Sequence, residues 1–237
     1  MLHKTLFAVG AAAIALAAAP HLSAQTPPAD ALTDPSMKGP AVIAFMGLKP
    51  GDKVADIVAG RFVRAESQAV GPTGKVYAIE TAEVAKVHPE VMKMMGALTA
   101  MPAYANVVAS ADPVATPLPK GLDAVFIRQN YHDLYDKFMG PADVAAFNQN
   151  VYAALKPGGV YVVLDHADAA GSGLSGTETR HRIDEARVKA DILAAGFVLD
   201  AESNILANPA DDHSKVVFDP SIRGKTDQFL LRFKKPK

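Results

Sequence analysis

Five stretches of this chain are almost continuously apolar: KVADIVA (53–59), GKVYAIE (74–80), NVVASA (106–111), LDAVFIRQ (122–129) and GVYVVLD (159–165). Strands that read this way have no face for water, so both sides of their sheet must be covered. Between them the apolar spacing turns helical, near Met37 to Lys49-Pro50-Gly51, over 82–97, over ADVAAFNQNVYAAL (142–155) and over RIDEARVKADILAAG (182–196). FVLDAES and QFLLRFK close the chain as two further strands. Strands alternating with helices predict an α/β architecture, a mostly parallel sheet with helices on both faces. LKPGDKV (48–54) and LKPGGVY (155–161) look like a repeat, yet a helix end, a Pro-Gly turn and a strand start account for both.

The sequence has 237 residues, 49% of them hydrophobic, which suffices for one good core. A net charge of −1 with interspersed signs offers no footprint for nucleic acid. The opening MLHKTLFAVGAAAIALAAAPHLSA carries Lys4 ahead of a short Ala-rich apolar run and ends in small residues. That pattern predicts a cleavable signal peptide over 1–24, hence export, with a bacterial periplasm as the expected compartment. QTPPADALTDPS (25–36) reads as a Pro-rich tether, leaving 37–237 as a single domain. With no cysteine there is no lipid-anchored terminus, no disulfide and no thiolate metal site. The expected partner is a small molecule, with no membrane anchor.

Seven strands, an acid (Glu80) ending the second and LKPGG before the fifth resemble the class I S-adenosylmethionine-dependent methyltransferase family. The stretches DHADAAGSG, HRIDEARV, AAGFVLDAES, NPADDH and VFDPSIRGKTDQFLLRFKKP resemble an exported bacterial branch of predicted methyltransferases, so that the likeness covers roughly 37–236. It implies a Rossmann-like fold with strand order 3-2-1-4-5-7-6 and an antiparallel last strand. It also implies cofactor-binding roles for Asp56 and Gly60 in the loop after strand one, Glu80 on the ribose and Asp112 near the adenine. Where the branch has glycines in that loop, this chain has Arg61 and Phe62. A side chain placed where bare backbone should touch a ligand takes up the ligand's volume. The loop is therefore expected to have lost its original use, with Arg61 and Phe62 lining a substrate pocket instead.

Chemistry-bearing residues gather at the strand ends. Tyr131-His132-Asp133 follow the fourth strand and Asp165-His166 close the fifth, while His181-Arg182 end the glycine-rich loop AAGSGLSGT. In an open parallel sheet these ends line the ligand crevice, and strands four and five are neighbours in the implied order. Imidazoles there suit proton transfer near neutrality, a Tyr hydroxyl can donate to a developing oxyanion, and Arg182 can hold an anionic group. Asp212, His213 and Arg223 are candidates for the substrate pocket, although NPADDH and DPSIRGKTD also read as turn chemistry. No His/Asp pair shows a recognised metal spacing, and GSGLSG around Ser172 and Ser175 lacks the context of a nucleophile elbow, so no metal is expected. Those glycines read instead as a mobile lid or an anion-cradling loop.

Three functions follow, in this order. The leading one is a cofactor-independent enzyme of lyase or hydrolase type that uses His, Tyr and Asp on a small organic substrate. The alternative is a small-molecule methyltransferase with S-adenosylmethionine as cofactor. The third is a non-catalytic small-ligand-binding protein.

Overall fold

The structure, a computed structural model, describes residues 29–237; the expected signal peptide and residues 25–28 lie outside the described residues. The elements run α1 (Gly39–Met46), β1 (Lys53–Ile57), α2 (Val63–Val70), β2 (Lys75–Thr81), α3 (Ala82–Val87), α4 (Glu90–Thr99), β3 (Val107–Asp112) and β4 (Leu122–Arg128). They continue with α5 (Val144–Ala154), β5 (Leu155–His166), α6 (Thr177–Arg180), α7 (Glu185–Ala194), β6 (Val198–Ser203) and β7 (Gln228–Lys234). The seven strands form one sheet in the order 3-2-1-4-5-7-6. Strands β1 to β5 pair in parallel, and β7 lies antiparallel between β5 and β6. This is the class I methyltransferase Rossmann-like fold.

Period-two alternation into two covered faces explains why the central strands read as apolar. Val125 and Ile127 of β4 face one core layer with Val151, Val188 and Ile192 of the helices. Ala124 and Phe126 face the other, with Val42, Met46, Val63 and Val70. The two layers hold the sheet between α5/α7 and α1/α2. The carboxyl ends of β1, β2, β4 and β5 then present Asp56, Glu80, Arg128, and Asp165 with His166 along one edge.

Four local differences from the sequence reading have physical causes. The expected helix over 82–97 is two helices, parted at His88-Pro89, where proline disfavours helical backbone before it. Strand β5 begins at Leu155, not 159, because Leu155 pairs with Leu122 before a register shift. Helix α2 stands between the first two strands, unmarked in the reading because a buried Glu66 interrupts its apolar face. Finally, the described part of the expected tether is packed. Ala31 is buried and donates its N–H to the Arg61 carbonyl, and Asp30 pairs with Arg64 at 2.9 Å. A small apolar side chain and one ion pair dock what proline content alone suggested was free.

Candidate active site

Two adjoining constellations occupy the carboxyl edge of the sheet. The first is a cavity of about 260 Å³ bounded by Asp56, Gly60, Arg61, Phe62, Glu80, Arg128 and other residues of β1, β4, α3 and α4. The backbone is strained where β1 and β4 leave the sheet: Val58 has φ +52° and Gln129 φ +55°. A β-branched residue in this region is an outlier, and such outliers concentrate at functional turns.

Phe62 sits at the N-cap of α2 with φ −103°, a conformation that needs no glycine. Its ring is 1% exposed and meets Phe126 edge to face, with centroids 5.3 Å apart. The side chain expected to line a pocket bounds this cavity from the core beneath it. Above Gly60 a Cβ would meet nothing within 4 Å, so backbone at that point remains open to a ligand. Arg61 is exposed.

The charges of this cavity are unusual. Asp56 is fully buried, and burial raises its carboxyl to about 8, against a long hydrogen bond from the Gly60 N–H. Behind it Glu66 is fully buried with neither carboxyl oxygen partnered, and burial next to Asp56 raises it well above the ordinary range. Glu80 accepts from the Thr81 N–H and is raised by burial to about 7. Arg128, lowered by burial to about 10, feels the charges of Asp56 on one side and Asp165 on the other. Sequence reasoning passed over Arg128, Glu66 and the Arg64–Asp30 pair. The signal for Arg128 was present, since it ends an apolar strand just as Asp56 and Glu80 do. Asp112, expected beside the adenine, lines a separate cavity of about 130 Å³ with Tyr77, Ile79 and Phe147.

The second constellation starts at the turn His132–Tyr135 after β4. Asp165, at the end of neighbouring β5, accepts from the His132 backbone N–H at 2.9 Å and lies 2.9 Å from His132 Nδ1. A carboxylate can only accept, so Nδ1 carries the hydrogen. His132 Nε2 then faces Asp133 Oδ1 at 3.1 Å and His181 Nδ1 at 3.2 Å. Burial disfavours a charged His132, but Asp165 and Asp133 outweigh it and raise the imidazole to about 10. Asp133 itself is held well below the carboxylate range: burial opposes this, while His132 and His181 overcome it. His166, 6.4 Å away between ring centroids, meets the Thr226 hydroxyl at 2.8 Å, and burial lowers it to about 3. Two neighbouring imidazoles are thus pushed in opposite directions.

The other candidates stand elsewhere. Tyr131 is fully buried, its hydroxyl accepting from Asn148. Arg182 is also fully buried: it donates to the carbonyls of Lys215 and Ala167 and pairs with Asp211 at 2.9 Å, tying three segments together. Asp212 is exposed and caps Ser214, His213 pairs with Asp227, and Arg223 is exposed. In the glycine-rich loop, the N–H groups of Gly171 and Gly173 both donate to Asp184, the N-cap of α7. Those donors are already engaged, so the loop is pinned rather than poised to cradle an anion.

No protein-family model matches the sequence, and no curated protein does. Among solved structures, the chain is similar to a SAM-dependent methyltransferase from Aquifex aeolicus, with TM-score 0.60 and 22% identity over 86% of this chain and 94% of that one. It is similar to the [4+2]-cyclase SpnF, with TM-score 0.57 and 14% identity over 85% and 81% of the two chains. It is also similar to a possible exported protein from Bordetella parapertussis, with TM-score 0.53 and 16% identity over 84% and 68%. At these identities the likeness is one of fold: the chain has the architecture of class I SAM-dependent methyltransferases, with its charged residues gathered at the edge where such sheets bind ligands.

Proposed function

We propose that the protein binds S-adenosylmethionine in the cavity between Asp56 and Glu80 and methylates a small oxygen or nitrogen acceptor. The observation that carries this reading is the inward burial of Phe62, which leaves Gly60 bare and the cavity open. The residues fit such a ligand. Glu80 offers a buried carboxylate able to accept from a pair of hydroxyls, and Val84, Val91 and Met94 supply an apolar wall. Two carboxyl groups, Asp56 and Glu80, and two guanidinium groups, Arg61 and Arg128, line the crevice, so a guest with both a cationic and an anionic group finds a partner for each. When bound, the cofactor supplies an electrophilic methyl group.

The protein's own part is to place the acceptor and take its proton. His181, partly exposed, is the solvent-facing end of the His132 cluster, and Asp165 fixes the tautomer and tilt of His132 behind it. Asp133 stabilises either imidazole when it is charged. Export, proposed from residues 1–24, would place this chemistry outside the cytoplasm.

Arg128 favours a second reading, a cofactor-independent enzyme, since a guanidinium on the cavity wall repels a sulfonium. A [4+2]-cyclase is among the similar structures, so the fold by itself does not specify methyl transfer. An assay with methyl-labelled S-adenosylmethionine and a panel of phenols, amines and carboxylates separates the two. Label transferred to an acceptor, and lost in His181→Ala, supports methylation. Turnover of a substrate with no cofactor added supports the second reading.

A further inference from the structure

We propose that His132, Asp133 and His181 form a binding site for one divalent transition-metal ion of the zinc type. His132 Nε2, Asp133 Oδ1 and His181 Nδ1 make a triangle with edges of 3.1, 3.2 and 3.7 Å. Donors about 2.0–2.1 Å from a tetrahedral zinc ion lie about 3.3–3.4 Å from one another, so the triangle matches one face of that tetrahedron. The mean edge is larger than the roughly 3 Å of an octahedral face at similar bond lengths.

Four independent features support the assignment. With Nδ1 of His132 donating to Asp165, its Nε2 points at two further electron-rich atoms. A single proton there serves one of them, whereas an ion serves all three. Asp133 Oδ1 is buried without a hydrogen-bond partner, an expensive arrangement unless a cation completes it. His181 closes α6 as a left-handed cap with φ +54°, and this turn brings its Nδ1 to the cluster. Asp165 behind His132 completes the carboxylate–histidine–metal relay, in which an outer carboxylate orients the ligand and raises its basicity.

The three protein ligands leave a fourth position, the pattern of a catalytic rather than a structural zinc site. It opens beside His181, whose side chain is 32% exposed and whose ring Phe218 covers at a centroid distance of 4.8 Å. Asp136, with a buried and unpartnered Oδ1, closes the same turn that carries His132 and Asp133. The inference does not depend on the methyltransferase reading, because the metal alone tests it.

The test is titration of the chelator-stripped full chain with Co²⁺, followed by competition with Zn²⁺. The expected result is one ion per chain, with the intense visible band of four-coordinate cobalt, displaced by zinc. Asp133→Asn and His181→Gly should each weaken binding by about 100-fold or more, and Asp165→Asn by about 10- to 100-fold. Glycine suits the left-handed backbone at 181, so that variant keeps its fold, which circular dichroism checks. Absence of the band, or an affinity unchanged in both His181→Gly and Asp133→Asn, overturns the proposal.

Discussion

The guanidinium carbon of Arg128 lies 5.7 Å from the ring centroid of Phe62, so the phenyl group forms a floor under a cation at the edge of the crevice. The residue that stands where the family resemblance expects glycine is structural support, its ring buried beneath the cavity it helps to bound. Phe62→Gly should therefore cost about 3–5 kcal/mol of stability, as other large-to-small core changes do. Urea denaturation measures it. A variant of unchanged stability that binds S-adenosylmethionine more tightly would mean the ring is a plug after all.

Glu80 is the buried acid at the end of β2, placed to accept from a diol. Glu80→Gln should weaken binding of S-adenosylmethionine by about 10- to 100-fold, the scale of a lost hydrogen bond to a charged group. The melting temperature should change little, since Thr81 N–H can still donate to the amide oxygen. Calorimetry and a thermal scan on the same sample read both.

Glu66 and Asp56 are both buried and act on each other, and the pair should mark the pH dependence of stability. Their folded pKa values lie above the unfolded ones, so between about 4 and 8 the folded state retains protons that the unfolded chain has released. Stability from this pair is complete at the acid end and falls as pH rises through that window. Glu66→Met should flatten the fall and stabilise the protein by about 1–3 kcal/mol at pH 8. Urea midpoints of the wild type and variant at pH 5 and pH 8 isolate the effect from the histidines. A variant less stable than wild type at pH 8 would show that the carboxyl has an unseen partner.

Arg182 and Asp211 form a fully buried ion pair that joins β5, α6 and the loop before β7. Removing one member strands the other, so Arg182→Ala should destabilise the fold by about 3–5 kcal/mol. A stable, folded Arg182→Ala protein with abolished turnover would instead assign this residue to the chemistry.

Much of the fold was legible because the sheet is buried on both faces, which leaves its strands as apolar runs that no other architecture accommodates. Glu80, Asp165 and His132 were legible for the same reason, as polar residues closing such runs. The gathering of His181 with His132 was legible too, since the loop that His181 ends leaves the neighbouring strand β5. What stayed hidden is the means: a left-handed backbone at a non-glycine residue 48 positions after Asp133, which no local pattern announces. The inward turn of Phe62 was equally hidden. Spacing alone does not say whether a bulky side chain beside a binding loop enters the cavity or the core, and that is settled by the packing of its ring on Phe126. Arg182 misled in the opposite sense, since a cation between an acidic helix start and a histidine resembles a site until its three buried partners are seen.

The account rests on a crevice still open to an adenosine-bearing cation, and direct calorimetry of S-adenosylmethionine against the protein tests it. Asp56 and Glu80 ionise near pH 8 and pH 7, and a cation binds better to their charged forms. The predicted result is one site of micromolar affinity at pH 8.5, weakening as the pH is lowered to 6. No heat at millimolar ligand at any pH in that range would contradict it.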